Sequence, residues 1–222
     1  VDRNEGEVIW NVPVIEKYEG IYGNWGIAES PLVVEDKVFC TAAGPRTTMV
    51  AFNKLTGEEE WATKSLNDKN AFVSPVLIEH NNSQMVVGVA SKYIFGVNPE
   101  DGSILWKYEY DGLGPTDTKI SRRRNNTVSP LYRNGSIYVT SGYDHVGVKL
   151  KLNDKGTDVK VVWTDTILDV HHGGVVLVDG FLYGSNWINN RQGNWCCINW
   201  ETGEKMYEKE WNTKGSIIYA DG

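Results

Sequence analysis

Apolar residues in this chain fall in short runs separated by clusters of Gly, Asn, Asp and Glu, and they do not recur at the three-and-four spacing that one face of a helix requires. Short apolar runs bounded by turn residues predict β-strands. The stretch 30–64 shows the pattern most plainly, with strands expected at Pro31-Leu32-Val33-Val34, Val38-Phe39-Cys40-Thr41, Thr48-Met49-Val50-Ala51-Phe52 and Glu59-Glu60-Trp61-Ala62. Between the first two strands lies Glu35-Asp36-Lys37, and later copies carry Asn134-Gly135 and Asp179-Gly180 there, residues that tolerate the positive φ of a tight hairpin. Between the last two lie Lys54-Leu55-Thr56-Gly57, Pro99-Glu100-Asp101-Gly102 and Trp200-Glu201-Thr202-Gly203, where glycine again supplies the turn.

The pattern repeats. A Gly, three residues and then Trp occurs at Gly6 to Trp10, Gly57 to Trp61 and Gly102 to Trp106, with Tyr in place of Trp at Gly203 to Tyr207 and a stretched copy from Gly156 to Trp163. In step with it run Ser30-Pro31, Ser74-Pro75, Ser129-Pro130, Gly174-Val175 and Ser216-Ile217, whose starts lie 44, 55, 45 and 42 residues apart. That is the period of a four-stranded propeller blade rather than of a helical repeat. The expected fold is therefore all-β, a β-propeller of four-stranded antiparallel blades, with blades at about 30–64, 74–110, 129–166 and 174–211. A blade end at 1–12 and the start of another at 215–222 make the whole a single partial propeller domain. Its open ends are expected to be covered by the missing half of the propeller or by another chain. Trp10, Trp61, Trp106 and Trp163, at a fixed phase in each copy, are expected to be buried equivalently between blades.

Strand alternation separates two faces. Turns one-to-two and three-to-four lie on one, and turns two-to-three together with the blade-to-blade links lie on the other. The first face has only short turns, whereas the second carries the long segments 18–29, 41–47, 111–127, 141–147, 164–173 and 185–194. Long loops on a rigid scaffold are where binding residues concentrate.

Composition narrows the partners. A net charge of -7 argues against nucleic acid, whose phosphates ask for a basic face. There is no run long and apolar enough for a transmembrane segment, and the first residues do not read as a signal peptide. Nine Trp, eleven Tyr and 23 Gly fit short aromatic strands joined by tight turns. Cys40, Cys196 and Cys197 form neither a metal-spaced set nor an even disulfide framework.

The segment Ala51-Phe52-Asn53-Lys54-Leu55-Thr56-Gly57-Glu58-Glu59-Glu60-Trp61, and less fully Cys197-Ile198-Asn199-Trp200-Glu201-Thr202-Gly203, resembles the repeat of the pyrroloquinoline-quinone (PQQ)-like propeller family. His171-His172-Gly173-Gly174-Val175-Val176-Leu177-Val178-Asp179-Gly180 with Tyr183-Gly184 is similar to the exported, BamB-like members. The resemblance spans nearly the whole chain. It implies about half of a seven- or eight-bladed ring, in a periplasmic, cell-surface or secreted protein. It is compatible with a ligand- or protein-binding module, with a BamB-like outer-membrane assembly scaffold, and with a PQQ- and calcium-dependent alcohol dehydrogenase, since fold alone does not choose. No cofactor is evident, and PQQ with calcium belongs to the dehydrogenase alternative only.

Candidate chemistry sits on the loop-rich face. Asn24 and Trp25, with Trp187 and Arg191, join loop aromatics to polar donors and acceptors, an arrangement suited to a flat polar small molecule, a polysaccharide or a protein. Arg122 and Arg124 lie in the link that stretches one repeat to 55 residues, where guanidinium forks can hold a carboxylate or phosphate. His171 and His172 enter a first strand, from which adjacent side chains are expected to point in opposite directions. Some of Trp25, Arg122, Arg124, His172 and Trp187 are expected to converge near the central channel. Cys196-Cys197 is comparable to the adjacent-cysteine disulfide that covers the quinone in the alcohol dehydrogenases of this fold, but its place inside a strand reads as two small core residues. A quinone enzyme also needs a carboxylate base and oxygen ligands for calcium. Asp117, Asp144 and Asp169 lie in the right loops without calcium-loop spacing, so no catalytic set is assignable.

Overall fold

A computed structural model of the chain describes residues 1–113 and 125–221. Among these described residues sixteen strands form four antiparallel sheets of four, each in simple sequential order. The first holds β1 (Leu32–Val34), β2 (Lys37–Cys40), β3 (Val50–Asn53) and β4 (Glu59–Ala62); the second β5 (Val76–His80), β6 (Ser83–Val89), β7 (Tyr93–Val97) and β8 (Ile104–Glu109). The third holds β9 (Leu131–Arg133), β10 (Ser136–Val139), β11 (Gly147–Leu152) and β12 (Val159–Asp165); the fourth β13 (Val175–Val178), β14 (Phe181–Ser185), β15 (Trp195–Asn199) and β16 (Lys205–Lys209). Each sequence repeat thus folds as one blade. The chain divides into two compact units, residues 1–107 and 108–222, each with its own core.

Period-two alternation builds those cores. In the first unit Met49 and Ala51 join Phe39, Trp61, Val86, Phe95 and Val97, while their neighbours Val50 and Phe52 pack on the opposite face with Tyr18, Ala42 and Val12. In the second unit Cys196 and Ile198 of β15 join Tyr138, Leu168, Val170, Leu182 and Trp200.

The turns between third and fourth strands share one construction. Asn53, Asn98, Asn153 and Asn199 each accept a backbone N–H on the side-chain oxygen, from Leu55, Glu100, Thr157 and Glu201 at 2.8–3.0 Å. Gly57, Gly102, Gly156 and Gly203 close them with φ between 68° and 75°, a region glycine enters without steric penalty. A register shift in the following ladder, at Ala51/Phe52, Lys149/Leu150 and Cys197/Ile198, marks a bulge just beyond the turn.

The repeated Trp locks onto this turn. Nε1 of Trp10 donates to Lys54 O at 2.9 Å, that of Trp61 to Pro99 O at 3.0 Å and that of Trp163 to Trp200 O at 3.2 Å. In each case the acceptor stands three residues before the turn glycine of the next blade, and a Cβ on that glycine, Gly57, Gly102 or Gly203, would come within 2.5–2.7 Å of the indole. Burial is not equivalent throughout: Trp61 is 8% exposed and Trp106 5%, whereas Trp10 and Trp163 are half-buried. Trp106 is also anchored differently, its Nε1 3.0 Å from Met85 Sδ and its ring over Gly96 of its own sheet.

Among the described residues two helical turns interrupt the links, α1 (Val14–Tyr18) and a 3-10 turn at Asp111–Leu113. Neither is visible in the apolar pattern, because one turn is too short to display a helical period. Tyr18 ties α1 to β4 by donating from its hydroxyl to Glu59 Oε2 at 2.5 Å. Segment 6–10 is not a strand, although Trp10 takes its place in the turn lock. Among the described residues no helix is long and apolar enough to cross a membrane.

Candidate functional site

Three of the loops expected on one face come together in the second unit. The β10–β11 loop supplies Tyr143, the link from β12 to β13 supplies Asp169, His171 and His172, and the β14–β15 loop supplies Trp187. Their rings form a row. Trp187 lies 4.9 Å from Tyr143, Tyr143 lies 4.4 Å edge-on to His171, and His171 lies 3.7 Å from His172. His171 is buried and His172 exposed. The two imidazoles therefore touch instead of pointing apart as the sequence suggested. Val175 begins the strand, so both histidines sit in the bend before it, where strand alternation does not apply.

Asp169 fastens the loops. Its Oδ1 accepts the Trp187 N–H and its Oδ2 the Asp144 N–H, both at 3.2 Å. Burial pushes its carboxyl up to about 7, opposed by these two donors. Thr127 donates from its hydroxyl to His171 O, holding the link from the other side. Gly142 permits the close approach of Tyr143, since a Cβ there would meet His171 Cβ at 2.5 Å.

The first unit uses the same fastening. Asp68 accepts the Lys92 N–H at 2.6 Å, and Glu29 accepts the Thr41 N–H at 2.8 Å. In each case a carboxylate in a link holds the backbone of the following blade's second-to-third-strand loop. Burial pushes Glu29 up to about 7, and its Oε2 has no hydrogen-bond partner among the described residues.

Beside the aromatic row a pocket of about 180 Å³ is lined by His172, Gly173, Ser185, Lys214, Gly215 and Ser216. One lining residue, Ser185, has a buried Oγ without a partner among the described residues, and Nδ1 of the neighbouring His171 is likewise buried without one. Burial lowers His171 to about 4, with His172 and Lys214 adding to the shift. His172 is lowered by burial and then by Lys214, and Lys214 itself is lowered by burial. A larger cleft of about 470 Å³ runs between β9 and β13, but backbone and aliphatic groups of Leu131, Val175 and Leu177 form much of its wall, with Tyr132, Arg133 and Tyr219 at its polar edge. The smaller pocket has the greater chemical specificity, because it sets a lysine beside an unpartnered buried hydroxyl.

The remaining sequence candidates lie in the first unit, at a loop tip of the second, or outside the described residues. Asn24 and Trp25 occupy a turn of the first unit closed by a Gly23–Gly26 bridge, with the Trp25 ring 80% exposed. Arg191 is exposed at the tip of the β14–β15 loop, its N–H bonded to Asn189 Oδ1 at 2.9 Å. Arg122, Arg124 and Asp117 lie outside the described residues. Tyr143, Ser185 and Lys214 escaped the sequence reading, because none belongs to a motif and tertiary folding alone assembles them. The Tyr143-Asp144 pair, both at positive φ, carries a weak turn signal and nothing more.

Cys196 and Cys197 are free thiols on opposite faces of β15, and burial pushes Cys196 up to about 12, as expected of core residues rather than reactive ones. Among the described residues no group of three or more His, Cys, Asp or Glu side chains is gathered where it could hold a metal ion.

Comparison with solved structures places the fold. BamB from Moraxella catarrhalis superposes with a TM-score of 0.55 at 18% identity, covering 85% of this chain and 51% of that one. A europium-containing methanol dehydrogenase gives 0.55 at 12% identity, covering 82% and 41%, and Sqt1 of Saccharomyces cerevisiae gives 0.57 at 12%, covering 82% and 48%. The chain spans about half the length of these structures or less, and identities this low speak for the fold alone. No curated protein matches the chain. At the level of family the match is nearly complete: the family described as outer membrane protein assembly factor BamB matches residues 1–209, and the chain, built of PQQ-like propeller blades, belongs to it.

Proposed function

We propose that this chain is part of an exported propeller that works as a protein-binding module through the loops of its second unit. The observation that carries this reading is the row Trp187, Tyr143, His171 and His172, held on a frame of loops by Asp169. Aromatic side chains give large contact area at low entropic cost, and they dominate the energetics of interfaces. A row fixed before binding avoids much of the ordering cost that flexible loops incur. The name of the matching family directs the choice of partner toward proteins of outer-membrane assembly, and the same likeness is the ground for an envelope location.

Photo-cross-linking in the envelope of a producing cell tests the reading. A photoreactive residue in place of Trp187 is expected to give a discrete cross-linked partner, and one in place of Asp179, on the short-turn face, is expected to give none. Tyr143→Ala, which removes the buried ring that Trp187 packs against, is expected to weaken the Trp187 cross-link by roughly tenfold through loss of that pre-organisation. Cross-links confined to position 179, or unaffected by the Tyr143 change, would overturn the proposal.

A further inference from the structure

The pocket beside the aromatic row has features that a packing role does not explain. Ser185, 2% exposed, has a buried hydroxyl without a partner among the described residues, and it lines the same pocket as Lys214. A buried hydroxyl left unpaired is unfavourable, and most such groups are satisfied in native proteins. Lys214 forms no ion pair with any described residue; the charged or titratable groups acting with it are the imidazoles of His171 and His172. In a chain of net charge -7 this is a local excess of positive charge without its counter-ion. The walls close tightly around it. A Cβ on Gly193 would stand 2.8 Å from Lys214 Cβ and 3.0 Å from Ser185 Oγ, and one on Gly173 would stand 2.1 Å from Gly215 O. Glycines at these contacts let segments 185–193 and 214–216 approach closely enough to form the pocket at all.

We infer that this pocket is a carboxylate-binding site, in which the Lys214 ammonium and the Ser185 hydroxyl donate to the two carboxylate oxygens and His172 forms the outer rim. A carboxylate supplies both missing partners, a negative charge for Lys214 and an acceptor for Ser185. Hydrogen bonds from an ammonium to a carboxylate are among the stronger ones available to a protein. The inference rests on the binding reading above and deepens it: the partner docked on the aromatic row inserts an acidic group beside it.

Acetate titrated into the full chain, followed by the ring resonances of His172 and the amide of Gly215, provides the test, with chloride at matched ionic strength as control. Saturable shifts with acetate and none with chloride are expected. Lys214→Met, which keeps the aliphatic stem, is expected to weaken acetate roughly tenfold or more, and Ser185→Ala severalfold, with the melting temperature of Lys214→Met unchanged. Lys160→Met, on exposed β12, is expected to leave affinity as it was. A peptide bearing a glutamate side chain that competes with acetate identifies a protein source for the carboxylate, whereas competition only by free small acids identifies a soluble one. Equal response to chloride, tighter binding of phosphate than of acetate, or unchanged affinity in Lys214→Met would overturn the inference. The two proposals fail separately. The chain with the photoreactive residue at position 187 is expected to bind acetate as the parent does, so absence of its cross-link with retained acetate binding, or the reverse, tells which has failed.

Discussion

Asp169 shows at the scale of one residue how this fold uses buried carboxylates. Its folded value of about 7 lies above its ordinary value of 3.8, so between those limits the folded chain binds more protons than the unfolded one. Stability contributed by this group is therefore greatest at low pH and declines as pH rises from about 4 to about 7. Glu29 acts in the same direction, with a rise from 4.5 to about 7. His171 opposes them. Lowered from 6.5 to about 4, it favours the folded state above pH 6.5, and that contribution is lost as pH falls toward 4. In Asp169→Asn the amide can accept only one of the two N–H donors, so destabilisation of about 1–3 kcal/mol near pH 5 is expected. The fall in stability between pH 5 and pH 8 should at the same time be smaller than in the parent chain. Denaturant melts at both pH values check this, and equal pH slopes in the two proteins would show that Asp169 does not titrate in this range.

At the scale of elements, the Trp lock is the device that joins blades. Trp61 fills the space over Gly102 and donates to Pro99 O, so its loss removes both a buried indole and the partner of a turn carbonyl. Trp61→Ala is expected to cost about 3–5 kcal/mol, the usual range for emptying a buried aromatic site. Trp163→Ala, at a half-buried position, is expected to cost less. Gly102→Ala attacks the same contact from the other side. Its φ of +72° disfavours any side chain, and its Cβ would lie 2.5 Å from the indole. Urea unfolding should rank Trp61→Ala and Gly102→Ala well below the parent and Trp163→Ala between them. A parent-like midpoint for Gly102→Ala would mean that the lock is not a tight contact.

For the molecule as a whole, the two units have separate cores, and the partners of Trp61 are not those of Trp163. Substitutions that share no contacts add within about 0.5 kcal/mol. The double variant Trp61→Ala, Trp163→Ala is therefore expected to lose the sum of the two single effects in calorimetry or urea unfolding. Non-additivity well beyond that margin would show energetic coupling between the two locks. The acidic net charge of -7 sets a further whole-molecule condition: an acidic partner cannot be attracted at long range, so a carboxylate has to be recognised locally, where Lys214 stands.

The blade architecture was written in local pattern. Short apolar runs, Asn and Gly at the turns and Trp at a constant phase each act over a few residues, and such signals survive in sequence because strand and turn preferences are local. The four sheets follow from them, as does the burial of Cys196 and Cys197. The sequence also placed Trp187 and the two histidines on one loop-rich face, since alternation of antiparallel strands is a topological rule. What it did not contain was the contact between His171 and His172, the exceptional anchoring of Trp106, or the meeting of Ser185 with Lys214. Those depend on how irregular loops close over one another, and loops obey no periodicity. The position of each loop side chain is set by segments tens of residues away, so only the folded chain decides it.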